Sequence, residues 1–332
     1  MKYYPYSARA DNYSLSFSEP YFMDKRQVIG GSIYKQKYDL VGYNRDGKGA
    51  SVFWGVSVGD FGQAVLSYGY EDVFATYVAI RQGSAGGDPS TPHQRPFPPP
   101  YTNFPTPTQY FATYSGVTSS FTPSFAYDSR DDPFDPNQGY SAFTRLRYAG
   151  GGLGGDFNYF RPEMGGSAFI PLTRRYIVAL NLEGGIIKPF NGSVIPVYDR
   201  YRLGGERSLR GLPYYEVLPR KADGEEFLDP NGVPLGGDRY LQFNFEYQIK
   251  VGGPVKFILF SDIGNTWYET QGWDLSLLRY TAGAELRIFL PIFQAPLRFI
   301  YGVNLKPYGA VPSQGLPAEK KSDFQFSIGT TF

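Results

Sequence analysis

The sequence predicts an all-β protein, an antiparallel barrel that crosses a membrane on its strands. Three observations carry this. Apolar and polar residues alternate with a period of two along most of the chain, and helical periodicity is hard to find. Aromatic residues make up 18% of the 332 residues, with 29 Tyr, 27 Phe and 3 Trp, yet they are interleaved with polar ones and the mean hydropathy is negative. The links between alternating segments are in turn short and long, as in a membrane barrel with tight turns at one rim and loops at the other. No run of 18 apolar residues occurs, which excludes a transmembrane helix. A barrel is not excluded by that, because its apolar face occupies alternate positions.

Taken in order, the alternation predicts strands at about 12–22, 26–38, 48–58, 61–80, 111–129, 139–149 and 155–171. Others follow at about 174–188, 238–251, 255–267, 278–290, 296–305 and 323–332. Most run roughly ten residues or more, enough for a tilted strand to cross the hydrocarbon core. The clearest runs from Arg239 to Val251. Leu241, Phe243, Phe245, Tyr247, Ile249 and Val251 share one face, and Gln242, Asn244, Glu246, Gln248 and Lys250 share the other. The segment 278–290 sets Tyr280, Ala282, Ala284, Leu286 and Ile288 against Arg279, Thr281, Glu285 and Arg287. At the C-terminus Phe324, Phe326, Ile328 and Phe332 oppose Asp323, Gln325 and Ser327. Short links lie at Met23–Lys25, Gly59–Asp60, Leu172–Thr173, Gly252–Pro254 and Pro291–Ala295, and long ones at about 81–110 and 189–237. A soluble β-sandwich alternates too, but rarely with so many long strands and so much outward aromatic surface. No repeat of 20 to 50 residues recurs, so propellers and solenoids are excluded.

Composition removes several functions. Cysteine is 0 and histidine 1, which excludes disulfides, thiolate metal sites, a cysteine nucleophile and a histidine-rich metal centre. The net charge of +1 gives no case for nucleic acid. His93 lies in the proline-dense segment Pro89–Pro107, which reads as a stiff external loop rather than a polyproline ligand, so no Ser/His/Asp arrangement can be built. No glycine motif that would cradle phosphate follows a strand and opens a helix. No catalytic, metal or cofactor site is expected. Met1–Ala10 is not a secretory signal, so the sequence reads as a mature chain or a piece of a longer precursor forming one barrel domain over 1–332.

Five segments carry a family resemblance. Arg202 to Leu212 (RLGGERSLRGL) resembles the GG-x-x-x-(V/L)-R-G loop of the POTRA-barrel superfamily of BamA-like outer-membrane assembly factors. Ser16 to Phe22 (SFSEPYF), Phe121 to Tyr140, Phe260 to Trp267 (FSDIGNTW) and Phe324 to Phe332 (FQFSIGTTF) are similar to that family's other blocks, in order. The resemblance implies a sixteen-stranded outer-membrane barrel preceded by periplasmic POTRA domains. SFSEPYF corresponds to the fourth family strand, so about thirteen strands are present here, with no counterpart of the POTRA domains or of the first three strands. It implies a protein that folds and inserts client β-barrels by pairing their strands at a lateral seam, without nucleotide or metal. The implied partners are outer-membrane lipid, unfolded barrel clients and accessory periplasmic lipoproteins. Within the superfamily a TamA-like or two-partner-secretion translocator is the alternative, and outside it a passive porin.

The resemblance also implies that Arg210 folds into the lumen onto Glu246 and Asp262. The residues alone favour a solvated loop arginine beside unrelated lumen acids, and the resemblance reverses that preference. Alternation puts Glu246 on the lumen side but is ambiguous for Asp262, whose same-face neighbours Ile258 and Phe260 are apolar. Gly204, Gly205 and Gly211 are expected to let the loop turn tightly and approach the wall. Phe324, Phe326, Ile328 and Phe332 resemble the C-terminal signal by which such barrels are recognised, or simply face lipid. Asp128, Arg130, Asp131 and Asp132 could form an acid pair or a calcium site. The arginine among them and the family resemblance point instead to a structural turn.

Overall fold

The computed structural model describes residues 10–40, 43–77, 114–229, 234–290, 295–329 and 332. The expected external loop at 81–110, with His93, lies outside them, as do Met1 to Arg9 and the link at 291–294. The strands are β1 (Ala10–Glu19), β2 (Gln27–Leu40), β3 (Tyr43–Val58), β4 (Gly62–Tyr77), β5 (Gly116–Asp128), β6 (Gly139–Ala149) and β7 (Tyr159–Pro171). They continue as β8 (Tyr176–Ile186), β9 (Lys188–Pro189), β10 (Arg239–Gly252), β11 (Val255–Trp267), β12 (Arg279–Ile288), β13 (Leu297–Asn304) and β14 (Ser322–Ile328). All pair antiparallel with their neighbours in chain order; only the two-residue β9 leaves the path, pairing beside β7. Among the described residues β1 and β14 are the ends of the path and do not pair, so this all-β sheet is a barrel wall left open along one line.

The wall is inside out relative to a soluble protein. On β10 the polar row Gln242, Asn244, Glu246 and Gln248 is buried, and the Phe243, Phe245 and Val251 row faces out. Leu15, Phe17, Ile33, Val52, Met164 and Leu182 are exposed in the same way on other strands. Hydrocarbon takes the apolar row and the lumen takes the polar one. Near the rim with short turns, Tyr127 stacks on Tyr140 at 5.4 Å and Tyr176 on Tyr247 at 5.8 Å, with exposed Phe61 beside Tyr127. Aromatic rings at that level form an interfacial belt.

Strand ends differ from the alternation in explicable places. The seventh strand starts at Tyr159, not near 155, because Gly150, Gly151, Gly154 and Gly155 all take positive φ and route the chain through a short 3-10 turn. The first link also contains a 3-10 turn, Phe22–Asp24. The long segment after β8 does not stay outside. It enters the lumen and packs Ile195, Leu203, Leu209, Leu212 and Val217 on inward-facing Tyr159 and Tyr240.

Candidate functional site: the loop clasp in the lumen

The tip of this lumen loop is built on tight backbone turns. Gly204 and Gly205 have φ of 103° and 92°, and Gly204 N–H donates to the Ser208 hydroxyl at 2.7 Å. A Cβ on Gly204 would sit 2.2 Å from the Pro213 carbonyl oxygen. Gly211, with φ of 84°, lies against the wall itself: a Cβ there would meet Gly302 of β13 at 2.7 Å. Two glycines facing each other let loop and wall backbones touch, and Gln325 of β14 then donates to the Leu212 carbonyl at 2.8 Å. Gly302→Ala would place a methyl carbon 2.5 Å from Gly211 Cα, with backbone on every near side. The loop must then withdraw, a loss of about 1–3 kcal/mol by overpacking, read as faster limited proteolysis between residues 204 and 212.

That approach delivers Arg210 to β10, β11 and β12. Its Nε and Nη2 donate to the two oxygens of Asp262 at 2.9 and 2.7 Å, and its backbone N–H adds a third bond to Asp262 at 3.0 Å. Nη1 donates to Glu246 at 2.6 Å and to Glu285 at 3.0 Å. The guanidinium also lies 3.9 Å from the centroid of the Phe260 ring. The paired fork on one carboxylate is a geometry lysine cannot reproduce. Register explains the convergence. Glu246 stands opposite Phe260, and Asn244 opposite Asp262, so the acids and the ring share one inward face.

Arg210, Glu246 and Asp262 are fully buried, and Glu285 is 1% exposed. Charge balance makes such burial tolerable. Arg287 donates to Glu285 at 2.5 Å and Glu246 at 2.7 Å, and Arg298 donates to Glu285 at 2.7 and 3.0 Å. Three guanidiniums thus face three carboxylates. Asn244 holds Asp262 at 2.9 Å and the Ser208 carbonyl at 2.6 Å, and Gln248 donates to Glu246 at 2.8 Å. Burial alone would lower the Arg210 pKa, but Asp262, Glu246 and Glu285 more than offset it, and the net shift is upward. Arg210 therefore stays a cation, which suits a fastening.

The structure therefore brings Arg210, Gly211, Gly204, Gly205, Glu246 and Asp262 into one place, and adds Glu285, Arg287, Arg298 and Phe260. Glu285 and Arg287 stood on the polar face of their strand in the sequence, but nothing local pointed to their partners. The acidic turn after β5 is internally bonded. Arg130 forks onto Asp128 at 2.9 and 2.8 Å, and Asp131 accepts from the Asn137 and Gln138 amides at 2.8 and 3.1 Å. At the C-terminus Phe324, Phe326 and Ile328 are 58, 55 and 53% exposed on the outer face. Phe332 departs from that row: its ring lies 5.8 Å from Phe169, on the inward face of β7 and β8. The chain turns at Gly329, with φ of 134° and its N–H on the Pro296 carbonyl, which breaks the parity that alternation assumed.

Comparison with known proteins agrees with this architecture. The Omp85 superfamily domain matches residues 4–332. The outer membrane protein assembly factor BamA of Nitratidesulfovibrio vulgaris is 28% identical over 214 residues, 63% of this chain. The chain spans about a quarter of that relative's length. The crystal structure of BamA from Haemophilus ducreyi lacking POTRA domains 1–3 superposes with a TM-score of 0.72 at 22% identity, covering 96% of this chain and 62% of that one. CdiB from Acinetobacter baumannii shares the fold at a TM-score of 0.56 and 13% identity, over 96% of this chain and 50% of its own. With a family match running over almost its whole length, the chain belongs to the Omp85 superfamily, as an outer-membrane β-barrel of the BamA-like kind.

Proposed function

We propose that the chain is the membrane-embedded part of a factor that folds and inserts client β-barrels, pairing their strands with the free edge of β14. The observation that carries this is the gradient in wall height. β3 and β4 have 16 residues each, whereas β13 has 8 and β14 has 7. At about 3.4 Å per residue and 45° of tilt, 16 residues span about 38 Å and 7 span about 17 Å. The hydrocarbon core is about 30 Å thick, so the wall is tall at one side and too short beside β14. Lipid next to the short wall must thin, and β14 has no partner on its outer side among the described residues. Unpaired N–H and C=O groups there, where water is scarce, favour an incoming strand. The Arg210 clasp holds the loop on β10–β12 while this happens, the exposed Phe324, Phe326 and Ile328 row serves as the chain's own assembly signal, and periplasmic lipoproteins assist.

The test uses the absence of native cysteine. Ser327→Cys, in the complete polypeptide in proteoliposomes, is expected to cross-link to a cysteine in the last strand of a slowly folding client barrel. No adduct at β14, with clients still folding, would refute edge pairing. A passenger trapped against the lumen loop instead would favour the translocator. Because the loop packs inside the lumen, bilayer conductance should be small and flickering, and large steady steps would indicate a porin.

A further inference from the structure

The β5–β6 turn, residues 129–138, makes a contact that a turn merely hanging from its own strands would not make. Asp135 pairs with the Lys256 ammonium, and the same Nζ lies 3.4 Å from the Asn137 amide oxygen and 5.6 Å from the Phe289 ring centroid. Lys256 belongs to β11, and β7, β8 and β10 separate β11 from β6. Four strand spacings of about 4.8 Å make about 19 Å along the wall. Lys256 points inward, in the row that continues through Ile258, Phe260 and Asp262, and is only 4% exposed although it is the second residue of its strand. The turn must therefore bend across the mouth of the lumen to reach it.

The turn is preformed for that reach. Asp131 accepts from the Asn137 and Gln138 amides, Asp132 accepts from the Phe134 amide at 2.7 Å, and the Asn137 side chain donates to the Asp135 carbonyl at 3.1 Å. The acid cluster shapes the loop, leaving the Asp135 carboxylate and the Asn137 amide oxygen at its tip to meet the lysine. Asp135 itself remains about a third exposed, so the contact is half open to water and can be broken without dismantling either wall.

We propose that the β5–β6 turn is a strap across the short-turn mouth of the lumen, pinned to β11 by Asp135 and Asn137 on Lys256, and that it shuts the lumen floor beneath the clasp. Short turns mark the periplasmic rim of such barrels, so the strap faces the periplasm. Asp135 and Asn137 are positioning residues, and this reading is independent of the proposed function.

The test is thiol accessibility in the complete polypeptide reconstituted in lipid nanodiscs. Gln248→Cys places a single thiol in the buried inward row near the strap, and Thr118→Cys places a control at the inward start of β5 by the opposite rim. A hydrophilic maleimide should label position 248 about tenfold faster when Asp135→Asn or Lys256→Met is added, the change expected from losing a charge-assisted hydrogen bond. Labelling at position 118 should not change. The charge swap Asp135→Lys with Lys256→Asp should return position 248 to slow labelling. Unchanged rates at 248, acceleration at both positions, an effect from only one partner, or failure of the swap would each overturn the strap.

Discussion

Arg210→Ala should release the lumen loop and lower the stability of the barrel by about 3–5 kcal/mol, the range for removing one partner of a buried charge cluster. The loss has two parts. Five hydrogen bonds to Asp262, Glu246 and Glu285 disappear, one of them from the backbone that must shift as the loop withdraws. Two guanidiniums, Arg287 and Arg298, are then left with three buried carboxylates. Arg210→Lys should recover only part of the loss, because a single ammonium cannot fork onto Asp262 and reach both glutamates. The measurements are the temperature at which the folded band is lost on heating before electrophoresis, and the rate of client folding. Wild-type values for both in Arg210→Ala would refute the fastening role of the loop.

Glu285→Ala should be nearly as damaging, although its own strand gives no sign of that importance. Its carboxylate accepts from Arg210, Arg287 and Arg298. Without it three guanidiniums crowd two carboxylates in a dry site, which again places the loss at about 3–5 kcal/mol. Glu285→Gln keeps the volume and two bonding atoms but not the charge, so it separates packing from electrostatics. A double-mutant cycle with Arg210→Ala should show strong non-additivity, since both changes break the same cluster. Additive losses would mean that Glu285 serves Arg287 and Arg298 alone.

Much of this was legible in the sequence, and the failures have two causes. The inward row of β10 could be read directly, because Gln242 to Gln248 alternate without interruption. Asp262 could not, because Ile258 and Phe260 on its face are apolar. Those two residues are not exceptions to lumen polarity. The docked loop turns that part of the lumen into a protein interior, where Phe260 lies under the Arg210 guanidinium and Ile258 is fully covered. Arg298 was equally opaque, set between Leu297 and Phe299. Phe332 was misplaced because parity holds only while a strand continues, and Gly329 ends it. Two-residue periodicity reports on a strand between two solvents; it says nothing about which distant segment will replace one of those solvents.

The order of the clasp along the chain sets when it can form. Arg210 precedes its three acceptors, with Glu246, Asp262 and Glu285 respectively 36, 52 and 75 residues downstream. Gln325, which holds the Leu212 carbonyl, lies 113 residues beyond it. The loop emerges before the strands that receive it, and no partial arrangement satisfies the guanidinium. It must stay hydrated until β10, β11 and β12 have aligned, and contacts of such long sequence separation form slowly. A register error of one residue on any of those strands would turn its carboxylate toward lipid and leave the loop undocked. Closure of the clasp therefore reports that the last third of the barrel has been assembled correctly, so loop protection against protease should be the final event in folding.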